Sequence, residues 1–288
     1  MKRALVTLAI GKKYRRRFEK LCYKSWRAYA EKYNLDLVVI TEVLDESERA
    51  NNRSPAWQKC LILSQTQVKK YDQVAWVDSD ILINPTSPNL FNGVPIEAIG
   101  AVDAYATPNK EDHLLGLERL YDYWEKTGIE FVRNVSAADY HKQFGLYSDH
   151  SSVVQTGVIV LSPGNHREVL EHVYDKYDDK GGAHWNYEMR PLSYEILNRS
   201  AVHWLNPKFN MPWPYVKQFL YPFLNKGPFL NKGRVFEKVL NRYGLVFKTP
   251  LKVKCATTAF LNNYFLHFAG SAAEMHYVNQ HITSIFSI

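Results

Sequence analysis

Asp78-Ser79-Asp80 is the stretch whose residue types and spacing most directly suggest chemistry. The apolar run Val74–Val77 precedes it, of the kind that fills a strand buried on both faces. Strand side chains alternate, so residues two apart point the same way. The spacing therefore predicts Asp78 and Asp80 on one side of a strand end. Two carboxylates that close repel unless a proton or a cation lies between them. A hard divalent ion, Mn²⁺ or Mg²⁺, suits oxygen ligands and leaves positions open for phosphate oxygens. The alternative is an acidic strand-to-turn junction in which Ser79 or Asp80 caps the following residues.

The elements that must position this pair are legible from periodicity. Ala4–Ile10 reads as a strand. Tyr14, Phe18, Leu21, Cys22, Ser25 and Tyr29 recur at helical spacing up to Asn34, and Leu35–Thr41 reads as a second strand. This β-α-β opening favours parallel pairing. Glu42–Pro55 reads as a loop, Trp57–Val68 as a helix and Gln73–Asp78 as a third strand. Ala98–Asp103 is expected to be a strand, Leu114–Lys126 a helix and Glu130–Ser151 an irregular, polar stretch, either an acceptor-side excursion or a mobile loop. Val158–Leu161 is expected to be a short strand, His166–Tyr177 and Glu188–Asn198 helices, Val202–Leu205 a strand, and Tyr264–Gly270 a short strand or turn.

The chain has 288 residues, enough for one large domain with an appendage, and a net charge of +7. Residues 215–254 hold nine Lys or Arg against Glu237, a local +8, so the remainder is nearly neutral. A local patch points to an anionic surface or acceptor, with peripheral membrane contact as one form, and away from nucleic-acid coating. Cys22, Cys60 and Cys255 have no metal spacing and fit a reducing, cytoplasmic setting. No apolar run approaches the ~18 residues of a membrane span.

Four stretches, in order, resemble the GT-A glycosyltransferases, above all the retaining families 8 (glycogenin and lipopolysaccharide galactosyltransferases) and 34 (galactosyl, mannosyl and xylosyl enzymes). They are SPAWQKCLIL (54–63), AWVDSDILINP (75–85), QTGVIVLSPG (155–164) and HFAG (267–270). The Lys-Pro-Trp that often follows the histidine in family 8 is absent, and the basic stretch has no counterpart. The resemblance implies an α/β fold with a Rossmann-like mixed sheet flanked by helices. It divides the chain into a nucleotide-sugar and acceptor core (1–214), a basic appendage (215–254) and a C-terminal segment (255–288) that returns His267 to the metal.

The same resemblance implies roles. Asp78, Asp80 and His267 would bind the cation that bridges the donor diphosphate, and an imidazole ligand favours Mn²⁺ over Mg²⁺. Thr7, Ala9 and Ile10, at the carboxyl end of the first strand, would meet base and ribose. Lys59, Ser79, Gly157 and Gly270 belong with the donor. Gln155 and Glu188 would stand at the reacting sugar, Glu188 stabilising or orienting it. Each has a plainer alternative: His267 as a core histidine between Leu266 and Phe268, Lys59 as a lysine at a helix start, Glu188 as an acid favoured by a helix dipole. The implied reaction is metal-dependent transfer of a sugar from a nucleotide-sugar, UDP-linked, to a hydroxyl of a glycan, lipid-linked or protein-linked acceptor, with retention. Two rivals are an Asp-x-Asp phosphohydrolase and a non-catalytic module binding anionic polymers.

Overall fold

The computed structural model describes residues 1–180, 187–225 and 251–280. Its main sheet begins as the alternation predicts. β1 (Arg3–Leu8) pairs in parallel with β2 (Asp36–Ile40) and with β3 (Gln73–Val77). The single helix expected between β1 and β2 is two, Lys12–Leu21 and Tyr23–Lys32, broken at Cys22, and Asn34 closes the second with φ +53°. The stretch predicted as the helix 57–68 is a 3₁₀ helix, Pro55–Ser64. So long a 3₁₀ run is uncommon, and side-chain bonds hold this one. Gln58 accepts from Leu44 N and donates to Asp45 O, the Trp57 indole donates to Asp179, and Lys59 is bound at its tip.

β4 (Ile81–Ile83) leaves the main sheet directly after the acidic pair. β5 (Ala98–Asp103) rejoins it, and β6 spans Val154–Leu161 instead of starting at Val158. β6 runs antiparallel between β3 and β5, and β7 (Ala201–Trp204) lies parallel to β5 at the edge, so the order is β2-β1-β3-β6-β5-β7. Side-chain alternation splits the core in two. Leu5, Ala75, Val77 and Val160 face one apolar layer; Ala4, Val6, Val74, Trp76 and Ile159 face the other. The excursion between β5 and β6 is more regular than expected, with helices Lys110–Thr127 and Ala137–Lys142.

A second sheet joins distant parts of the chain. β8 (Met211–Pro212) and β4 flank β9 (Phe265–His267), with Ile81 and Pro212 both opposite His267. Helix Trp213–Leu220 follows β8 and packs on Lys110–Thr127. Gly116 permits this, because a Cβ there would lie 2.2 Å from the Tyr215 ring, whose hydroxyl donates to Asp112 O at 2.5 Å. Tyr215 and Val216 are buried, so the basic stretch starts inside this packed helix. Residues 226–250, most of that stretch, lie outside the described residues.

Candidate active site

The site starts where β3 ends. Val77 closes the strand, Asp78 follows, and a turn through Ser79 leads to β4. The two carboxylates are therefore brought to one side by a turn, and strand alternation is not the cause. Backbone bonds fix the turn: Ile81 N donates to Asp78 O at 3.2 Å, Phe268 N to Asp80 O at 3.0 Å, and Asp78 N to Gly157 O at 2.9 Å. One carboxylate oxygen of Asp78 is already committed. Its Oδ1 accepts from Trp76 Nε1 at 2.8 Å and lies 3.1 Å from Lys59 Nζ. Its Oδ2 faces His267 Nε2 at 3.7 Å, and Asp80 Oδ1 lies 3.3 Å from the same nitrogen. One ligand atom each from Asp78, Asp80 and His267 falls within 4.8 Å of the others.

The register of β4 against β9 places His267 there, and Gly157 makes the room. A Cβ at Gly157 would lie 2.5 Å from His267 Cε1 and 2.7 Å from Nδ1. The other ring nitrogen is held from behind: His267 Nδ1 lies 2.9 Å from Asn210 Oδ1. Asn210 is oriented in turn, its Nδ2 donating to Gln155 Oε1, which also accepts from Gly157 N at 3.0 Å. With the Asn210 amide placed this way, Nδ1 carries the proton and a neutral His267 presents the Nε2 lone pair to the carboxylates. A second hydrogen bond of this kind is how proteins fix a metal-binding imidazole. Two carboxylates and an oriented imidazole fit a divalent-cation site.

Behind the pair lies a buried charge cluster. Lys59 Nζ reaches Glu188 Oε1 at 2.7 Å, Asp78 Oδ1 at 3.1 Å and Thr156 O at 3.3 Å, and the Thr156 hydroxyl donates to Glu188 Oε1 at 3.1 Å. Lys59 is 5% and Glu188 3% exposed. Lys59 is thus no surface lysine at a helix start. Glu188 does stand at the N-cap of helix Met189–Arg199, but its side chain turns to Lys59 and makes no cap bond.

The titration behaviour follows from this packing. Burial works against the charge on Lys59, but Asp78 and Glu188 more than offset it, and the ammonium titrates above its usual range. Burial pushes the Glu188 carboxyl up, with Asp78 adding to the rise and Lys59 pulling it back. Burial likewise opposes the charge on Asp80, yet His267 holds that carboxyl below its ordinary value. His267 is raised despite its burial, by Asp80 first and Asp78 second. A proton on His267 thus answers the repulsion of the two carboxylates, the task a cation performs when bound.

These residues line one cavity of about 770 Å³, Lys59, Asp78, Asp80 and His267 together with Gln155, Gly157, Glu188 and Gly270. Thr7, Ala9, Ile10 and Ser79 do not line it. Thr7 and Ala9 are fully buried in and beyond β1, Ala9 N donates to Ile40 O at 2.8 Å, and Ile10 is half-buried. Ser79 O accepts from Cys22 Sγ at 3.5 Å. Asp103, at the end of β5, does not line the cavity either and accepts from Tyr105 N and Val153 N. Asn210 was missed, because a lone asparagine in PKFNMPW carries no period or spacing.

A glycosyltransferase involved in the glycosylation of the major capsid of PBCV-1 aligns with 98% of this chain and 99% of its own at 12% identity, with a TM-score of 0.50. The chain has the GT-A fold. The galactosyltransferase LgtC, solved with donor and acceptor sugar analogues, aligns over 98% of this chain and 94% of its own, with a TM-score of 0.48 and 12% identity. No family model and no curated protein matches the sequence. In the GT-A fold found here, the charge cluster lies beyond the carboxyl end of β3, on the side where open α/β sheets bind ligands.

Proposed function

We propose that this protein is a metal-dependent glycosyltransferase that moves a sugar from a UDP-sugar to a hydroxyl of a glycan or glycoconjugate acceptor, with retention. The observation that carries the reading is the Asp78, Asp80 and His267 triad in the lining of the cavity, with Asn210 fixing the imidazole. When bound, Mn²⁺ supplies Lewis-acid neutralisation of the charge that develops on a departing nucleoside diphosphate. The residues do the rest. Asp78 and Asp80, each about a quarter exposed at the side chain, open toward the cavity. Lys59 is held charged 3.1 Å from Asp78 and fixes that carboxylate, leaving Oδ2 toward the shared site. Glu188, buried and ion-paired to Lys59, places a carboxylate beside the sugar pocket, where it stabilises positive charge on the reacting carbon or orients the sugar. Gln155 is turned toward Asn210 and Gly157, so its part is to hold the site in shape from the sugar side.

Among the described residues no helix is long and apolar enough to cross a membrane. The three cysteines are free and buried, which supports a reducing, cytoplasmic setting. The basic stretch 215–254 extends the proposal to peripheral contact with an anionic membrane surface.

The test is a panel of nucleotide-sugars incubated with and without Mn²⁺ and read as free nucleotide. Release of UDP that needs the metal is expected. Phosphate release from phosphomonoesters instead, with no nucleotide release, would favour the phosphohydrolase. Activity untouched by Asp78→Asn and Asp80→Asn would defeat the reading.

A further inference from the structure

The excursion between β5 and β6 builds a wall of the cavity apart from the Asp78, Asp80 and His267 triad. Helices Lys110–Thr127 and Ala137–Lys142, with the residues beside them, bring Tyr105, Tyr121, Trp124 and Tyr140 to it. Tyr105 stands edge-on to Tyr140 at 6.2 Å and 4.7 Å from the His113 ring. Aromatic faces with polar edges offer an apolar platform and hydrogen-bonding rims together, which is what a sugar ring with one C–H face and a hydroxylated edge requires.

Four residues lining the cavity, three on this wall and Arg190 on helix Met189–Arg199 beside it, each carry a buried polar atom with no well-formed hydrogen bond among the described residues: His113 Nε2, Asn134 Oδ1, and Arg190 Nε and Tyr140 Oη, which are close enough to interact with each other. Folded proteins pair nearly all such atoms, and four around one cavity call for a common explanation. Their chemistry is mixed. His113 Nδ1 lies 3.4 Å from Thr107 O, a bond that leaves Nε2 as an acceptor. Asn134 Oδ1 is an acceptor and Arg190 Nε–H a donor. Hydroxyl groups, which both give and accept, satisfy such a set.

Charge narrows the class. Lys59, Asp78 and Glu188 are paired among themselves, Asp80 faces His267, and Lys217 is paired with Glu274 at 2.9 Å. Arg190 also lines the cavity but has no such partner. It is 2% exposed, its Nη1 donates to Gln143 Oε1 at 2.9 Å, and its guanidinium lies 4.6 Å from the centre of the Tyr140 ring. Among the described residues no carboxylate is within ion-pair distance of it. A buried cation without a counter-ion is unfavourable, and a guanidinium is shaped to take a carboxylate or phosphate.

We propose that this wall is an acceptor subsite for a glycosyl ring bearing an anionic group, the ring lying along Tyr105 and Tyr140 and the anion on Arg190; the acceptor role rests on the glycosyl-transfer reading above. A purely structural Arg190 would tie one helix to the next through Gln143 and Tyr140 and select no ligand.

Binding of three probes by ligand-observed NMR to the full chain with UDP and Mg²⁺ separates these. The probes are phenyl glucuronide, phenyl glucoside 6-phosphate and phenyl glucoside. At least one anionic probe should bind about tenfold tighter than the neutral one, the usual scale of a charge-assisted hydrogen bond. Which of the two binds tighter tells a carboxylate acceptor from a phosphorylated one. Arg190→Gln should abolish the preference. Tyr140→Phe keeps the ring and removes the hydroxyl beside Arg190, so the favoured probe should weaken severalfold with little change in Tm. Equal binding of all three, binding of none, or a preference that survives Arg190→Gln overturns the subsite. Metal-dependent nucleotide release by the wild-type protein, assayed without acceptor, keeps the two readings apart. Release with no anionic preference defeats the subsite alone, and absence of release defeats glycosyl transfer itself.

Discussion

At the residue scale the arrangement of the triad depends on two positions outside it. Gly157 is one. Its missing Cβ is the space His267 occupies, since the added atom would meet the imidazole at 2.5 Å. Gly157→Ala should displace the ring. Mn²⁺ affinity measured by titration should fall at least about tenfold, while overpacking lowers stability by ~1–3 kcal/mol. Asn210 is the other. Asn210→Leu removes the acceptor that holds the Nδ1 proton, so Mn²⁺ affinity should fall about 10–100-fold, the range for loss of a second-layer partner. Asn210→Asp retains an acceptor for Nδ1 and should recover part of that loss. Equal affinity in all three proteins would show that the imidazole is not oriented in this way.

At the element scale, two packed helices are tied by one carboxylate. Glu195, on helix Met189–Arg199, accepts from the Tyr177 hydroxyl, from Lys176 at 3.1 Å and from Arg199 at 2.6 Å, joining the end of helix Pro163–Lys176. Burial alone would raise its pKa, but these hydrogen bonds outweigh it and bring the group down from 4.5 to about 2. A depressed carboxylate stabilises the fold above its ordinary pKa, and the contribution is lost as pH falls through the folded value. The loss should therefore run between pH 4.5 and about 2. Its size falls well short of the roughly 3.4 kcal/mol that the full linkage relation would give, because solvent screens the half-exposed Lys176 and Arg199. Glu195→Gln should flatten that part of an acid-unfolding curve followed by circular dichroism, and an unchanged curve would contradict the assignment.

The elements also show what was legible beforehand. β1, β2 and β3 were readable because alternation and short apolar runs are local signals. Asp78 and Asp80 were readable as a pair, though for a different reason than the one that operates. A turn aligns them, and β4 then leaves for the second sheet. The pairing of β4 with β9, some 180 residues on, has no local signature, so His267 reached the site only through a family resemblance. Asn210 and Arg190 had neither a period nor a motif to mark them. Their meaning comes from what lies opposite them in the folded chain.

At the scale of the whole molecule, binding at the triad couples two sheets, because Asp78 ends β3, Asp80 precedes β4 and His267 ends β9. Mn²⁺ with UDP should therefore raise the Tm, by the equivalent of about 2.7 kcal/mol at a hundredfold excess over Kd. Asp80→Asn should remove most of that gain. The most direct measurement is pulsed EPR of Mn²⁺ bound to the protein with UDP. One tightly bound ion is predicted, with a ¹⁴N coupling from His267 that disappears in His267→Ala. An ion that binds with no nitrogen coupling, or as tightly in Asp78→Asn and Asp80→Asn as in the native protein, would contradict the account.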